Sequence, residues 1–198
     1  MKNITGRAAT LSAIVVAAFL PAGKSASAQS AASSSAGTPA NSASARREAD
    51  VSTADSIIGA LYGAISGPAG KKREWDRFRA LFLPEARLIV ARARRDSAGQ
   101  VSPLVMTVDE YVAGSGDLEA QGFFEREATH VSETFGAITH RFSTYESRGR
   151  ANDLKPFARG INSIQLLNDG RRWWIVTVFW DSERPGTSIP ERYLPRSP

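Results

Sequence analysis

Cysteine is absent from the 198 residues, and histidine occurs only twice. The lack of cysteine excludes disulfide bonds, a thiolate nucleophile, a cysteine metal site and a lipid-modified N-terminal cysteine. A zinc site on two histidines would need carboxylates to complete it, and no spacing in the sequence points to one. We therefore expect no metal and no cofactor, and a fold that depends on its hydrophobic core.

Long apolar runs are also lacking, except for one near the N-terminus. Lys2 and Arg7 lead into an apolar stretch at residues 8–20, and Ala26-Ser27-Ala28 follows. The stretch is shorter than the about 20 residues that span a bilayer, and the pattern is that of a secretory signal peptide at residues 1–28. We expect cleavage near Ala28-Gln29, export to the periplasm or the medium, and no membrane association afterwards.

The excess of positive charge is small once this segment is removed. The chain has 25 basic and 20 acidic residues, and three of the basic residues lie in the segment, which leaves 22 against 20, a net +2. The densest basic group, Arg92, Arg94 and Arg95, is expected to be the solvated end of a strand. Nucleic-acid-binding proteins gather basic residues on one face or one helix, so no nucleic-acid partner is expected.

Composition divides the rest of the chain into three parts. Residues 29–49 are rich in Ser and Ala and predict a disordered linker, because they bury too little apolar surface to fold. Residues 50–183 suit one domain. Residues 184–198 form a Pro-rich tail, which Ile189 and Tyr193-Leu194 are expected to attach to the domain.

Hydrophobic spacing predicts helices first and strands later. We expect a helix from Ser52 to Gly67-Pro68, another from Glu74 to Pro84, and a short helix after the capping box Thr107-Val108-Asp109-Glu110. Predicted strands are residues 86–93, 101–106, a long hairpin from 123 to 146 that turns near Gly136, and a hairpin of 158–167 with 173–181 around Asp169-Gly170. This order predicts an α+β fold with an antiparallel sheet.

Three motifs resemble the nuclear transport factor 2-like superfamily, including its SnoaL-like and ketosteroid isomerase-like members. They are Trp75-x-x-Phe78-x-x-Leu81-Phe82-x-Pro84-x-Ala86-Arg87, Glu133-x-Phe135-Gly136-x-Ile138-x-His140 and Gly170-x-x-Trp173-x-Ile175. The resemblance covers residues 52–181 and implies a cone-shaped α+β barrel, with three helices of the N-terminal half packed in a strongly bent antiparallel sheet. It also implies a homodimer formed through the sheet. It does not choose a function, because the superfamily includes several kinds of enzyme as well as binding proteins.

Alternation along the long hairpin divides its residues between two faces. The more apolar face is expected to point inward and carries Glu127, Thr129, Val131, Glu133, Phe135, Ile138, His140, Phe142, Thr144 and Glu146. His130 is expected on the outward face, with Thr139, Arg141, Ser143 and Tyr145. His140 and Glu133 are then the catalytic candidates, because the carboxylate could fix the tautomer of the imidazole.

The remaining pocket residues come from the helices and the second hairpin. The resemblance directs the face of Trp173 and Ile175 toward the interior, and parity adds Asn162, Thr177, Phe179 and Asp181. The expected lining is Trp75, Phe78, Tyr62, Val131, Phe142, Asn162, Trp173, Thr177 and Asp181. Such a cavity would be mostly apolar with a few polar groups, as small-molecule sites are.

Three functions stay open at this point. The first is an exported module that binds an apolar small molecule in its cone cavity without chemistry. The second is a cofactor-independent acid–base enzyme of the isomerase, dehydratase or hydrolase type, which uses His140 and an inward carboxylate. The third is a dimeric interaction module that pairs through the outward face of its sheet.

Overall fold

A computed structural model describes residues 39–93 and 100–195. The helices are α1 Pro39–Asp50, α2 Ala54–Ile65, α3 Trp75–Arg79, α4 Val108–Ala113 and α5 Gly116–Gln121, and a 3-10 turn covers Glu191–Tyr193. The strands are β1 Phe82–Ala93, β2 Val101–Met106, β3 Phe124–Phe135, β4 Ile138–Arg148, β5 Ala158–Asn168 and β6 Trp173–Ser182. The predicted signal peptide lies outside the described residues. Within them, no helix is both long and apolar enough to cross a membrane.

The six strands form one mixed sheet in the order β2-β1-β6-β5-β4-β3. Neighbouring strands are antiparallel except β1 and β6, which run parallel. The expectation of a purely antiparallel sheet was wrong at this pair, because a long connection leaves the direction of the returning strand open. The register shifts in β1–β6, β3–β4 and β5–β6, and such bulges bend and twist a sheet.

Helix α2 is the centre of the core. Thr53 caps it by accepting a hydrogen bond from the amide of Ser56 at 3.0 Å, and the helix ends before Gly67-Pro68 as predicted. Ile57, Ile58 and five other residues of the helix are buried. Because a helix with so much buried surface needs cover on several sides, the sheet curves around it.

Helix α3, the helix predicted to run from Glu74 to Pro84, is shorter than expected. It ends at Arg79, and Phe82 is already the first residue of β1. Pro84 lies in the strand rather than at a helix end. It falls where the pairing of β1 with β6 is interrupted, between Phe82 and Arg87, and such an interruption tolerates a residue without an amide hydrogen.

Helix α1 differs from the disordered linker predicted for residues 29–49, of which residues 29–38 lie outside the described ranges. Asp50, its last residue, accepts two hydrogen bonds of 2.7 Å from the guanidinium of Arg77 on α3. Arg46 donates two more to Glu74, at 2.9 and 3.0 Å. These long-range ion pairs give a segment of low hydrophobicity a defined position.

The tail packs on the sheet as predicted. Ile189 is buried, and the ring of Tyr193 lies 4.9 Å from that of Phe142 on β4. The backbone carbonyl of Tyr193 also accepts a hydrogen bond of 2.6 Å from Thr144. The tail therefore covers part of the face of the sheet that points away from α2.

Candidate functional site

From Thr129 to the end of β4, the faces of the long hairpin are the reverse of those predicted. Its turn is Gly136-Ala137, since Phe135 pairs with Ile138, but Phe135 is 85% exposed while Ser143 is fully buried. The polar face packs against α2, because its groups find partners there: the Tyr62 hydroxyl lies 2.7 Å from Ser143 Oγ. The apolar face is outward and only partly covered by the tail.

This reversal removes the predicted catalytic pair from the interior. Glu133 and His140 are opposite each other, as expected, but they lie on the outward face. His140 Nε2 is 3.0 Å from Ser163 Oγ, and Glu133 is exposed. The inward placement of Val131 and Phe142 was wrong for the same reason, and Val131 is exposed.

A bulge in β3 changes the orientation of the residues before it. Thr129 pairs with Thr144, but Glu127 pairs with Tyr145, which leaves Ala128 as an extra residue. A one-residue shift moves the side chains of a strand to the opposite face. Glu127 therefore lies inward, as predicted, and so does Glu125, which pairs with the buried Ser147.

The second hairpin contains a similar shift. Its loop has four residues, Asp169–Arg172, instead of the two predicted, because Asn168 pairs with Trp173. Leu166 pairs with Ile175, both facing inward as predicted, but beyond the shift Ile164 pairs with Val178. Val178 and Trp180 consequently face the core. Thr177, Phe179 and Asp181, predicted to face inward, lie on the opposite face.

A cavity of about 490 Å³ lies between the helices and the concave face of the sheet. Its apolar wall includes Leu61, Ile65, Phe78, Leu88, Val90, Leu104, Met106, Leu118, Phe123, Phe157, Val178 and Trp180. Its polar groups include Tyr62, Arg92, Tyr111, Asp117, Glu125, Tyr145, Ser147, Asn162 and Ser182. The volume and the mixture of groups are typical of small-molecule sites.

Of the nine predicted lining residues, Tyr62, Phe78 and Asn162 border this cavity. Trp75 lies behind the wall, edge-on to the ring of Phe78 at 5.8 Å, and its indole donates a hydrogen bond of 2.8 Å to Glu119. Trp173 packs at the edge of the core and donates its backbone amide to Val51. The other four predicted lining residues, Val131, Phe142, Thr177 and Asp181, are on the outward face of the sheet.

Glu125 is the main polar group of the cavity, and sequence reasoning missed it. Its carboxylate borders the cavity and accepts a hydrogen bond of 2.7 Å from Ser147 Oγ. Burial raises the pKa of Glu125 to about 7, although hydrogen bonds from Ser147 and Asn162 act to lower it. A carboxyl with such a pKa can accept or release a proton near neutral pH.

A buried network of hydrogen bonds lies beside Glu125. Asn162 Nδ2 donates to the Tyr62 hydroxyl at 3.0 Å, and Ser143 lies on the other side of that hydroxyl. Burial raises the pKa of Tyr62, and the nearby carboxylate of Glu125 raises it further. The same two causes raise the pKa of Tyr111 and of Tyr145. All three phenols therefore stay protonated at neutral pH.

Arg92 lies at the β1 side of the cavity. Leu88, Val90 and Arg92 alternate with outward residues along β1, so all three point inward. The predicted solvated position was therefore wrong for Arg92. Arg94 and Arg95 lie outside the described residues. Among the residues that the structure describes, Nε and Nη2 of Arg92 have no hydrogen-bond partner, although both atoms are buried.

A second, open groove of about 750 Å³ runs between α2 and β3. Arg141 donates to Glu127 at 2.8 Å and also pairs with Asp55, and its contact to His130 Nδ1 is 3.0 Å. His130 is therefore on the inward face of the hairpin, at its exposed edge, and not on the outward face as predicted. Because these charged groups are already paired with one another, the groove has fewer free polar groups for a ligand than the cavity has. No group of three or more potential metal ligands occurs in the described ranges.

No family model matches the sequence, and no curated protein matches it. Solved structures match the fold. A protein from Thiobacillus denitrificans, described as a calcium/calmodulin-dependent protein kinase type II association domain, aligns over 67% of this chain and 97% of its own, with a TM-score of 0.50 and 14% identity. An NTF2-like protein of unknown function from Pseudomonas putida aligns over 69% and 89%, with a TM-score of 0.48 and 9% identity.

Another neighbour, from Methylobacillus flagellatus, is also described as an NTF2-like protein of unknown function, with a TM-score of 0.42, 15% identity and coverage of 67% and 95%. This chain has a nuclear transport factor 2-like fold. The resemblance stated from the three motifs is thus confirmed at the level of the fold. At these identities the fold by itself assigns no activity.

Proposed function

We propose that the protein binds a small, mainly apolar molecule in the cavity of its nuclear transport factor 2-like domain. The observation that carries this proposal is the cavity of about 490 Å³, which apolar side chains line around a few convergent polar groups. Burial of an apolar ligand there would be favourable by about 25 cal/mol per Å² of apolar surface. The phenols and Glu125 would orient a polar group of the ligand.

A cavity-filling substitution tests this proposal. Leu104 on β2 borders the cavity, and its neighbour Val105 points to solvent. Leu104→Trp should weaken the binding of alkyl and aryl-alkyl alcohols by at least tenfold in calorimetry, whereas Val105→Trp should not change it. Equal affinities in the two variants, or no binding by the unmodified protein, would refute the proposal.

A second candidate function is cofactor-independent acid–base catalysis, which the pKa of about 7 at Glu125 favours. Glu125 would take the role that the sequence suggested for His140, with Tyr62 or Asn162 as a hydrogen-bond donor to the substrate. Proton exchange at the α-carbon of apolar ketones, followed by NMR in D2O, tests it. Glu125→Gln should abolish exchange and Glu133→Gln, on the outward face, should not. Equal rates in both variants would exclude this role.

We also propose that the chain is exported and that it forms a homodimer through the outward face of the sheet. The N-terminal pattern of charge, apolar run and Ala26-Ser27-Ala28 supports export, and a mature N-terminus at Gln29 would verify it. Exposed Val131, Phe135, Ile138 and Phe179 on the outward face support the dimer. Sedimentation should then show a dimer that Phe179→Glu converts to a monomer.

A further inference from the structure

Arg92 borders the cavity with two guanidinium nitrogens, Nε and Nη2, that are buried without a hydrogen-bond partner in the described part of the chain. Both atoms are hydrogen-bond donors, and neither finds an acceptor there. A buried charge without hydrogen bonds is strongly unfavourable, so such groups normally coordinate a counter-charge. An arginine held in this state inside a ligand cavity is typical of a site that an anion completes.

The acids of the cavity do not provide that counter-charge. Its lining contains Asp117 and Glu125, and neither is bonded to the two buried nitrogens of Arg92. The pKa of Glu125 is lowered only by Ser147 and Asn162, with no contribution from a cation. Arg92 and Glu125 therefore act as two separate polar ends of the cavity.

The topology places these two ends far apart along the sheet. Arg92 is on β1 and Glu125 is on β3, with β6, β5 and β4 between them. The wall between them is apolar and includes Leu88, Val90 and Val178. A ligand that reaches both ends would have an anionic group, an apolar body and a second polar group.

We propose that Arg92 is an anion-binding residue, and that the ligand of the cavity is an apolar molecule with one carboxylate, which Arg92 binds through Nε and Nη2. This inference rests on the proposed ligand-binding function. The planar guanidinium matches a carboxylate in a bidentate geometry. The guanidinium carries a single positive charge, which favours a carboxylate over a doubly charged phosphate monoester.

Paired ligands that differ only in the anionic group test the proposal. Calorimetry would compare 4-phenylbutyrate with 4-phenylbutan-1-ol, and longer and shorter members of both series. The unmodified protein should bind the carboxylate at least tenfold more tightly, a difference that one charge-assisted hydrogen bond supplies. Arg92→Met should lose this preference and keep its affinity for the alcohol. Arg171→Met, a charge-matched control in the exposed β5–β6 loop, should keep both.

The outcomes separate this inference from the proposal on which it rests. Binding of alcohol and carboxylate with equal affinity would overturn the role of Arg92 and leave the ligand-binding cavity supported. A preference that persists in Arg92→Met would do the same. Binding of neither series would count against the ligand-binding function itself, and the anion site would fail with it.

Thermal unfolding of the ligand-free protein gives an independent measurement. Because Nε and Nη2 of Arg92 are buried without a partner in the described part of the chain, Arg92→Met should leave the Tm unchanged or raise it. In the unmodified protein, 4-phenylbutyrate should raise the Tm, and it should not do so in the variant. A loss of several degrees on substitution would mean that Arg92 is already paired in the folded protein, which would overturn the proposal.

Discussion

The raised pKa of Glu125 makes a quantitative prediction about stability. An unfolded glutamate has a pKa of 4.5, and burial raises the pKa of Glu125 in the folded protein to about 7. Well below pH 4.5 the carboxyl is protonated in the folded and in the unfolded protein, so its titration does not change the free energy of unfolding. Between these two values the unfolded chain releases the proton first, so the folded state loses stability as the pH rises, and above about 7 the loss is complete.

The size of this loss follows from the shift. Each pKa unit corresponds to about 1.4 kcal/mol, so a shift from 4.5 to about 7 sets an upper bound of about 3.4 kcal/mol. The carboxyl borders a cavity, and water there reduces the penalty. We therefore expect Glu125 to destabilise the folded protein by about 2 kcal/mol more at pH 8 than at pH 5.

Glu125→Gln isolates this contribution, because all other titrating groups are common to both proteins. Urea unfolding at pH 5 and pH 8 should show that the variant gains about 2 kcal/mol relative to the unmodified protein between the two conditions. Glu133→Gln, at an exposed position, should show no such gain. A difference between variant and unmodified protein that does not change with pH would refute the raised pKa.

Two further substitutions probe the structure around the cavity. The guanidinium of Arg73 is buried and donates to the backbone carbonyls of Ile65, Gly67, Pro68, Lys71 and Leu118. Arg73→Lys should therefore lower the free energy of unfolding by about 3 kcal/mol, measured in urea, and a loss below about 0.5 kcal/mol would contradict this. At Gly160, an added Cβ would lie 2.2 Å from the carbonyl of Asp181 and 2.5 Å from the Tyr145 hydroxyl. Gly160→Ala should therefore lower the Tm by several degrees. At the control position Gly59, an added Cβ would meet nothing within 4 Å, so Gly59→Ala should leave the Tm unchanged or raise it. Equal Tm values for Gly160→Ala and the unmodified protein would contradict this, because the strands would then have moved apart at no cost in stability.

Local signals in the sequence were enough to predict most of the elements. The capping box is formed, with Thr107 accepting from the Glu110 amide at 3.2 Å and Glu110 accepting from Thr107 in return. The hairpin turns at Gly136, whose positive φ of 56° suits glycine. Such features depend on a few adjacent residues. The direction of β1 relative to β6 depends on the whole chain, and no local pattern indicates it.

The position of the site could not be predicted, because it depends on bulges and on buried polar contacts. Because Val131 and Phe135 in fact point outward, unbroken alternation would turn Glu125 outward as well, and only the extra residue Ala128 brings it inward. Nothing in the apolar–polar alternation of β3 indicates that residue. The rule that the more apolar face points inward also failed, since the inward face of β4 carries Thr139, Arg141 and Ser143, all buried. Tyr62 was the one signal in the sequence that could have indicated a polar inward face. A tyrosine among the apolar residues of a core helix requires a polar partner for its hydroxyl.

The reversal of the hairpin has a consequence for the origin of the cavity. A sheet that turned its large apolar residues inward would fill the cone, as Phe135 and Phe142 would close against α2. Here the inward positions of β3 and β4 hold Glu125, Ser143, Tyr145 and Ser147, which are hydrogen-bonded to one another or to the helix and the neighbouring strands. Hydrogen bonds hold these side chains at fixed positions, so they do not shift to fill the space beside them. The cavity and the buried carboxyl of Glu125 therefore both result from the orientation of the hairpin. The same orientation leaves its large apolar residues on the other face of the sheet.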